Sequence, residues 1–224
     1  MTKGKCFYCS GEFKDSVMGA HLQSCSFRPK SANNEKKDYG FLIKATGKYR
    51  KGYWLFIEVK DFSTLEDLDS FLRDIWLECC GHLSCFKING VQFYNNKETV
   101  HELGGTTMNV SLKKVLKAGT AFQHEYDFGS TTQLTLQVMA NLYTLQGSKS
   151  PVRLAARNNP PKLRCASCGK ASKYICDDCV MNGEKGYYCE PCLEKHPCGG
   201  NMALSISNSP RMGVCDYSGP DDEK

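Results

Sequence analysis

Paired cysteines near both ends of the chain, with strand, helix and hairpin periodicities between them, predict an α+β protein: a central mixed α/β domain flanked by two small zinc-finger modules. Of 14 cysteines in 224 residues, ten join with two histidines in three four-ligand sets. Two residues between cysteines let one tight turn aim both sulfurs at a single metal. The N-terminus, Met1-Thr-Lys-Gly-Lys-Cys6, has no apolar export region, and no uninterrupted apolar run of about 18 residues occurs. A cytoplasmic chain is expected, and there reduced thiols favour metal over disulfides.

The first module spans 1–28. Cys6-x2-Cys9 supplies a knuckle, and His21-x3-Cys25 puts two ligands on one face of a short helix, because residues four apart share a face. Phe13 and Met18 supply apolar filler. A segment this short has almost no core, so metal is expected to provide most of its folding free energy, on the order of 10 kcal/mol. The closing His21-Leu22-Gln23-Ser24-Cys25 resembles the helix of Cys-Cys-His-Cys fingers, including the ubiquitin-binding type. Those members carry an aspartate at the place of Gln23 and an apolar residue at the place of Ser26.

A polar linker at 29–38 leads into an α+β domain at 39–145. Gly40 to Thr46 and Tyr53 to Val59 read as strands. Ser63 and Glu66 form a capping-box signature ahead of apolar positions at Leu65, Leu68, Phe71, Leu72, Ile75, Trp76 and Cys79, whose three- and four-residue steps mark one helix face. Gly81 suits the C-terminal cap. Asn89-Gly90 between Phe86-Lys87-Ile88 and Val91-Gln92-Phe93 is a hairpin signal. A short helix near Ser111 to Lys117 precedes strands at about Ala121 to Tyr126 and Thr132 to Met139. A basic linker, 146–163, is interrupted by Pro151, Pro160 and Pro161.

Trp76-Leu-Glu-Cys79-Cys80-Gly-His82, the Asn89-Gly90 hairpin and Tyr126-Asp127-Phe128-Gly129 together resemble the plasmid pRiA4b open-reading-frame-three family, also described as insertion-sequence passenger proteins. The closing Asn208-Ser-Pro-Arg211-Met-Gly213-Val-Cys215-Asp-Tyr217 is similar to the tail of its zinc-rich archaeal members. The resemblance implies no established reaction. Ser130, Thr132 and Leu134 stand where bacterial members carry aspartate, tryptophan and histidine.

The last module, 164–218, carries Cys165, Cys168, Cys176, Cys179, Cys189, Cys192, His196 and Cys198, two tetrahedral sites' worth of ligands. The pairs can be used sequentially or interleaved. Tyr174-x-Cys176 and Tyr188-Cys189 resemble B-box and related cross-brace fingers, which implies interleaving: the first and third pairs on one zinc, Cys176, Cys179, His196 and Cys198 on the other. The short His196-Pro-Cys198 spacing leaves room for Cys215 to replace one of them. With Cys6, Cys9, His21 and Cys25, three zinc ions per chain are expected. Cys79, Cys80, Cys85 and His82 offer a further metal or reactive-thiol cluster, although core packing explains Cys79 better. His101 and His124 read as ordinary surface or strand residues, and Asp127 as a turn residue.

Net charge is +5 and unevenly spread, with seven Lys/Arg against three Asp/Glu in 1–37 and five against none in 145–164. Closed ligand sets leave no position for a catalytic water, and no hydrolase, P-loop or dinucleotide fingerprint appears, so no catalytic residue is assigned. The sequence therefore suggests a zinc-binding adaptor contacting nucleic acid or a nucleoprotein. Lys3, Lys5, Lys14, Arg28, Lys30, Lys36, Lys37, Arg153 and Arg157 would meet phosphates, with Phe7 or Tyr8 stacking on bases. The alternatives are a protein-interaction module for a ubiquitin-like or other protein, and an enzyme centred on Cys80, His82 or Asp127. No membrane partner is expected.

Overall fold

The computed structural model describes residues 2–29, 39–142, 150–198 and 203–220. The chain divides into two compact units, Met1–Arg73 with His82–Asn159, and Asp74–Gly81 with Pro160–Lys224.

The first unit is built on a ten-stranded sheet. Its strands are β1 (Lys3–Cys6), β2 (Glu12–Lys14), β3 (Gly40–Gly47), β4 (Trp54–Lys60), β5 (Ser84–Ile88), β6 (Val91–Tyr94), β7 (Thr106–Thr107), β8 (Ala121–Tyr126), β9 (Thr132–Leu142) and β10 (Val152–Asn158). Their spatial order is β2-β1-β10-β4-β3-β9-β8-β5-β6-β7. The β6–β7 pair is parallel and the other pairs are antiparallel, so the sheet is mixed.

Alternation decides which side chains enter the core. Leu134, Leu136 and Val138 of β9 are buried, whereas Thr135, Gln137 and Met139 between them are exposed. Register carries the buried face across to Ala45 and Leu55. Helix α2 (Leu65–Leu72) covers this face, burying Leu65, Leu68, Asp69 and Leu72. Its N-cap is Thr64, with Asp67 reciprocating, so the capping box lies one residue later than the Ser63/Glu66 expectation. The long helix expected to reach Cys79 stops at Leu72 and continues as a π-helical turn, Arg73–Leu77.

Asn89 and Gly90 take positive φ, 49° and 81°, and close the β5–β6 hairpin as a two-residue turn. Two helices complete this unit: α3 (Lys97–Leu103), capped by Asn96, and α4 (Leu112–Val115). His101 is exposed on α3, but His124 on β8 is fully buried, with Nε2 2.6 Å from Asp69 Oδ1. His124 is therefore a core residue, held by a carboxylate from α2.

The stretch expected to be a basic linker contributes an interior strand. β10 pairs with β1 on one side and β4 on the other, with a bulge at Ala155. It attaches the N-terminal finger to the main sheet. Helix α1 (Asp15–Ser24) packs on the sheet face that carries Phe56, and Met18 and Leu22 share one apolar cluster with Leu42, Trp54, Phe56 and Leu142. Each such burial contributes roughly 1.5–3 kcal/mol, so the finger borrows a core and does not rely on metal alone. Contact is close at Gly4, where a Cβ would lie 2.4 Å from the Trp54 ring and 2.2 Å from the Arg157 carbonyl oxygen.

The second unit contains a three-stranded sheet ordered β12-β11-β13, from β11 (Tyr174–Cys176), β12 (Tyr187–Tyr188) and β13 (Ala203–Ser205). Short helices α5 (Asp177–Met181) and α6 (Glu190–Leu193) are N-capped by Cys176 and Cys189 and carry the second cysteine of each pair, Cys179 and Cys192. Residues 74–81 are part of this unit through the C-terminal tail. The Trp76 indole donates to the Asn208 carbonyl at 2.9 Å, and the Ser209 hydroxyl donates to the Trp76 carbonyl at 2.6 Å. Trp76, Arg211, Met212 and Tyr217 are buried.

Candidate metal centres

Among the described residues, four groups of cysteine and histidine each bring their ligand atoms within 4.8 Å of one another: Cys6, Cys9, His21 and Cys25; Cys165, Cys168, Cys189 and Cys192; Cys176, Cys179, His196 and Cys198; and, within the second unit, Cys79, Cys80 and Cys215. The two groups in the cysteine array interleave in sequence, the cross-brace arrangement.

The N-terminal group is built by a knuckle and a helix. After β1, the backbone turns at Ser10 with φ 60°, and Cys6 N–H donates to the Gly11 carbonyl at 2.9 Å. His21 sits in the last turn of α1, its ring stacked on Phe13 with centroids 3.8 Å apart, and Cys25 is the helix C-cap. Cys9 Sγ lies 3.4 Å from His21 Nε2. Zn–S of about 2.3 Å and Zn–N of about 2.0–2.1 Å at a tetrahedral angle place sulfur and nitrogen about 3.6 Å apart, so the pair fits one metal. Burial pushes the Cys6 thiol up to about 11, whereas the Gly11 N–H, 3.4 Å from Cys9 Sγ, is the leading cause that lowers Cys9.

In the four-cysteine group, Cys168 and Cys189 sulfurs are 3.6 Å apart, close to the roughly 3.8 Å expected across one tetrahedral zinc. Burial opposes ionisation of Cys165, yet N–H groups of Cys189, Cys168 and Ser167 bring it down to about 6. Cys192 is pushed up to about 12, first by hydrogen bonds with Cys189 and Cys168. Backbone N–H donors thus favour one thiolate while hydrogen bonds among the sulfurs keep a neighbour protonated, a competition that a bound cation removes.

The third group has Cys179 Sγ 3.1 Å from His196 Nε2 and 4.0 Å from Cys198 Sγ. Tyr188 backs it, with its ring 4.3 Å from that of His196 and its hydroxyl 3.8 Å from Cys179 Sγ. Thiolate-rich tetrahedral sets of this kind suit zinc or iron.

Three cysteines stand differently from the sequence expectations. Cys215 is grouped with Cys79 and Cys80, not with Cys176 and Cys179. Cys85 is buried on β5, outside every group, its thiol raised to about 11 by burial. Cys79 is half-buried and receives Nη2 of Arg211 at 3.3 Å, so core packing does not account for it. Asp127 is a turn residue with φ 65°, and its Oδ1 accepts from the N–H groups of Gly129 and Ser130.

The expected phosphate-binding cations fall into three sets. Lys3 pairs with Lys14, and Lys5 with Arg157, across adjacent antiparallel strands, so all four side chains share one face of β2-β1-β10. Arg28 and Arg153 are turned inward: buried Glu58 accepts from Arg28 Nε at 2.7 Å and from Arg153 Nε at 2.9 Å, and Arg153 also lies over the Tyr8 ring. Lys30, Lys36 and Lys37 lie outside the described residues. Phe7 is half exposed, but the Tyr8 hydroxyl is buried, and burial first, then the Glu58 charge, raise its pKa. A further basic surface had no signal in the balanced charge of 38–144. Lys44, Lys48 and Lys51 line an open cavity of about 300 Å³ on the opposite sheet face, with Thr135 and Gln137.

No protein-family model matches the chain, and no curated protein matches it. Among solved structures, the chain is similar to a protein of unknown function, MM3350, from Methanosarcina mazei Go1, with 17% identity over 52% of this chain and 67% of that chain and a TM-score of 0.44. No helix among the described residues is long and apolar enough to cross a membrane.

Proposed function

We propose that the protein is a zinc-binding adaptor that contacts nucleic acid or a nucleoprotein through the basic face of its first unit. The reading is carried by register: Lys3, Lys5, Lys14 and Arg157 share one face of three adjacent strands, with Glu12 opposite Lys5 among them, and Lys3, Lys5 and Lys14 are exposed. A row of cations on a rigid sheet suits the regularly spaced charge of a phosphate backbone, and counterion release then drives binding. Zinc at the N-terminal finger and at both cross-brace groups would fix the frame, three ions with every position filled by protein and none open for a catalytic water.

Fluorescence anisotropy with a labelled mixed-sequence duplex and its single strand tests the reading. Binding should weaken steeply as salt rises. Changing Lys3, Lys5 and Lys14 to glutamine should lower affinity for all sequences alike and flatten the logarithmic salt slope by about 3, roughly 1 per lost phosphate contact. Undetectable binding at low salt, or binding indifferent to salt, overturns it.

A second reading, a protein-interaction module, is favoured by exposed apolar groups on the finger: Phe7 at 50%, Val17 at 49% and Phe27 at 71%. It would be supported by a defined protein partner that survives nuclease treatment and is lost with Phe7→Ser and Phe27→Ser together.

A further inference from the structure

We infer that the second unit carries a fourth metal site, a zinc held by the thiolates of Cys79, Cys80 and Cys215. The three cysteines belong to the second unit, yet Cys80 and Cys215 are 135 positions apart in sequence. Their sulfurs are 3.9 Å from each other, far beyond the roughly 2.05 Å of a disulfide. They are close to the roughly 3.8 Å that two sulfurs span across a tetrahedral zinc.

Two features surround the group as they would a metal site. Arg211 is fully buried and donates Nη2 to Cys79 Sγ at 3.3 Å. A buried cation there offsets the negative charge that a zinc bound by several thiolates carries. The backbone is also bent to present Cys215: Gly213, Cys215 and Asp216 all take positive φ, at 74°, 51° and 55°. Two consecutive non-glycine residues in that region persist only where the surroundings hold them. The metal would tie residues 79–80 to the C-terminal tail, joining the two chain segments from which the second unit is made. Each thiol loses a proton to solvent on binding, with no change in oxidation state.

Native mass spectrometry of the purified full chain, with independent zinc analysis, reads the site directly. The expected wild-type content is four zinc per chain, falling to three in Cys215→Ser and in Cys80→Ser, while Cys85→Ser retains four. Cys80 is exposed, so its variant keeps the fold readable. Cobalt replacing zinc gives a second measurement: the thiolate-to-cobalt charge-transfer absorption should fall by about three parts in thirteen for loss of this site, since three of the thirteen ligating thiols belong to it. Three zinc in the wild type, or four persisting in both Cys215→Ser and Cys80→Ser, overturns the proposal. Because the adaptor reading assumes only the other three sites, a count of three leaves that reading standing.

Discussion

Glu58 shows how one residue reassigns others. It is 1% exposed and accepts from both Arg28 and Arg153, residues 30 and 95 positions away. Linear charge counting finds those arginines in basic segments and cannot see the carboxylate that faces them. Glu58→Ala would leave two largely buried guanidinium groups without this partner. A loss of about 3 kcal/mol in urea unfolding is expected, the lower end for breaking a buried pair because the arginines keep some solvent. Glu58→Gln, which retains an acceptor, should cost less. A loss below about 0.5 kcal/mol for the alanine variant would mean the pair is slack, within the range of ordinary surface substitutions. The metal ligands were more legible, since the two-residue spacing is itself the geometric requirement. Cys215 was not, because its partners Cys79 and Cys80 come from a distant segment and no local spacing announces them.

At the level of elements, β3, β4, β8 and β9 and the β5–β6 hairpin follow from alternation and from Asn89-Gly90. β10 escaped notice because Pro151, Asn159, Pro160 and Pro161 punctuate both ends and the strand carries two arginines. In the sheet, pairing on both sides and the bulge at Ala155 outweigh that local reading. The start of α2 was legible to within one residue; Thr64, not Ser63, makes the reciprocal cap with Asp67. Thr64→Ala should therefore destabilise the first unit by about 1 kcal/mol in chemical denaturation, and Ser63→Ala should not show the same capping loss. Equal effects at both positions would place the cap elsewhere. The break from α2 into a π-helical turn was invisible, since the apolar three- and four-residue steps run on through Trp76.

On the scale of the molecule, the two units differ in what holds them. The first has a large apolar core along its sheet. The main cluster around the cross-brace consists of Cys165, Cys176, Cys179, Tyr188 and Leu193, so most of its buried members are themselves ligands. Removing metal with a strong chelator should strip hydrogen-exchange protection from β11, β12 and α5, while amides in β3, β4 and β9 stay protected. Retained protection in the second unit would show that its fold does not depend on metal. The position of β10 has a consequence for synthesis. β1 joins the main sheet's hydrogen-bond ladder through β10, and β10 is made some 145 residues after β1. On the ribosome α1 can therefore pack against Phe56 and Leu42 well before β1 has a strand to pair with in the main sheet, which comes only when Val152–Asn158 follows.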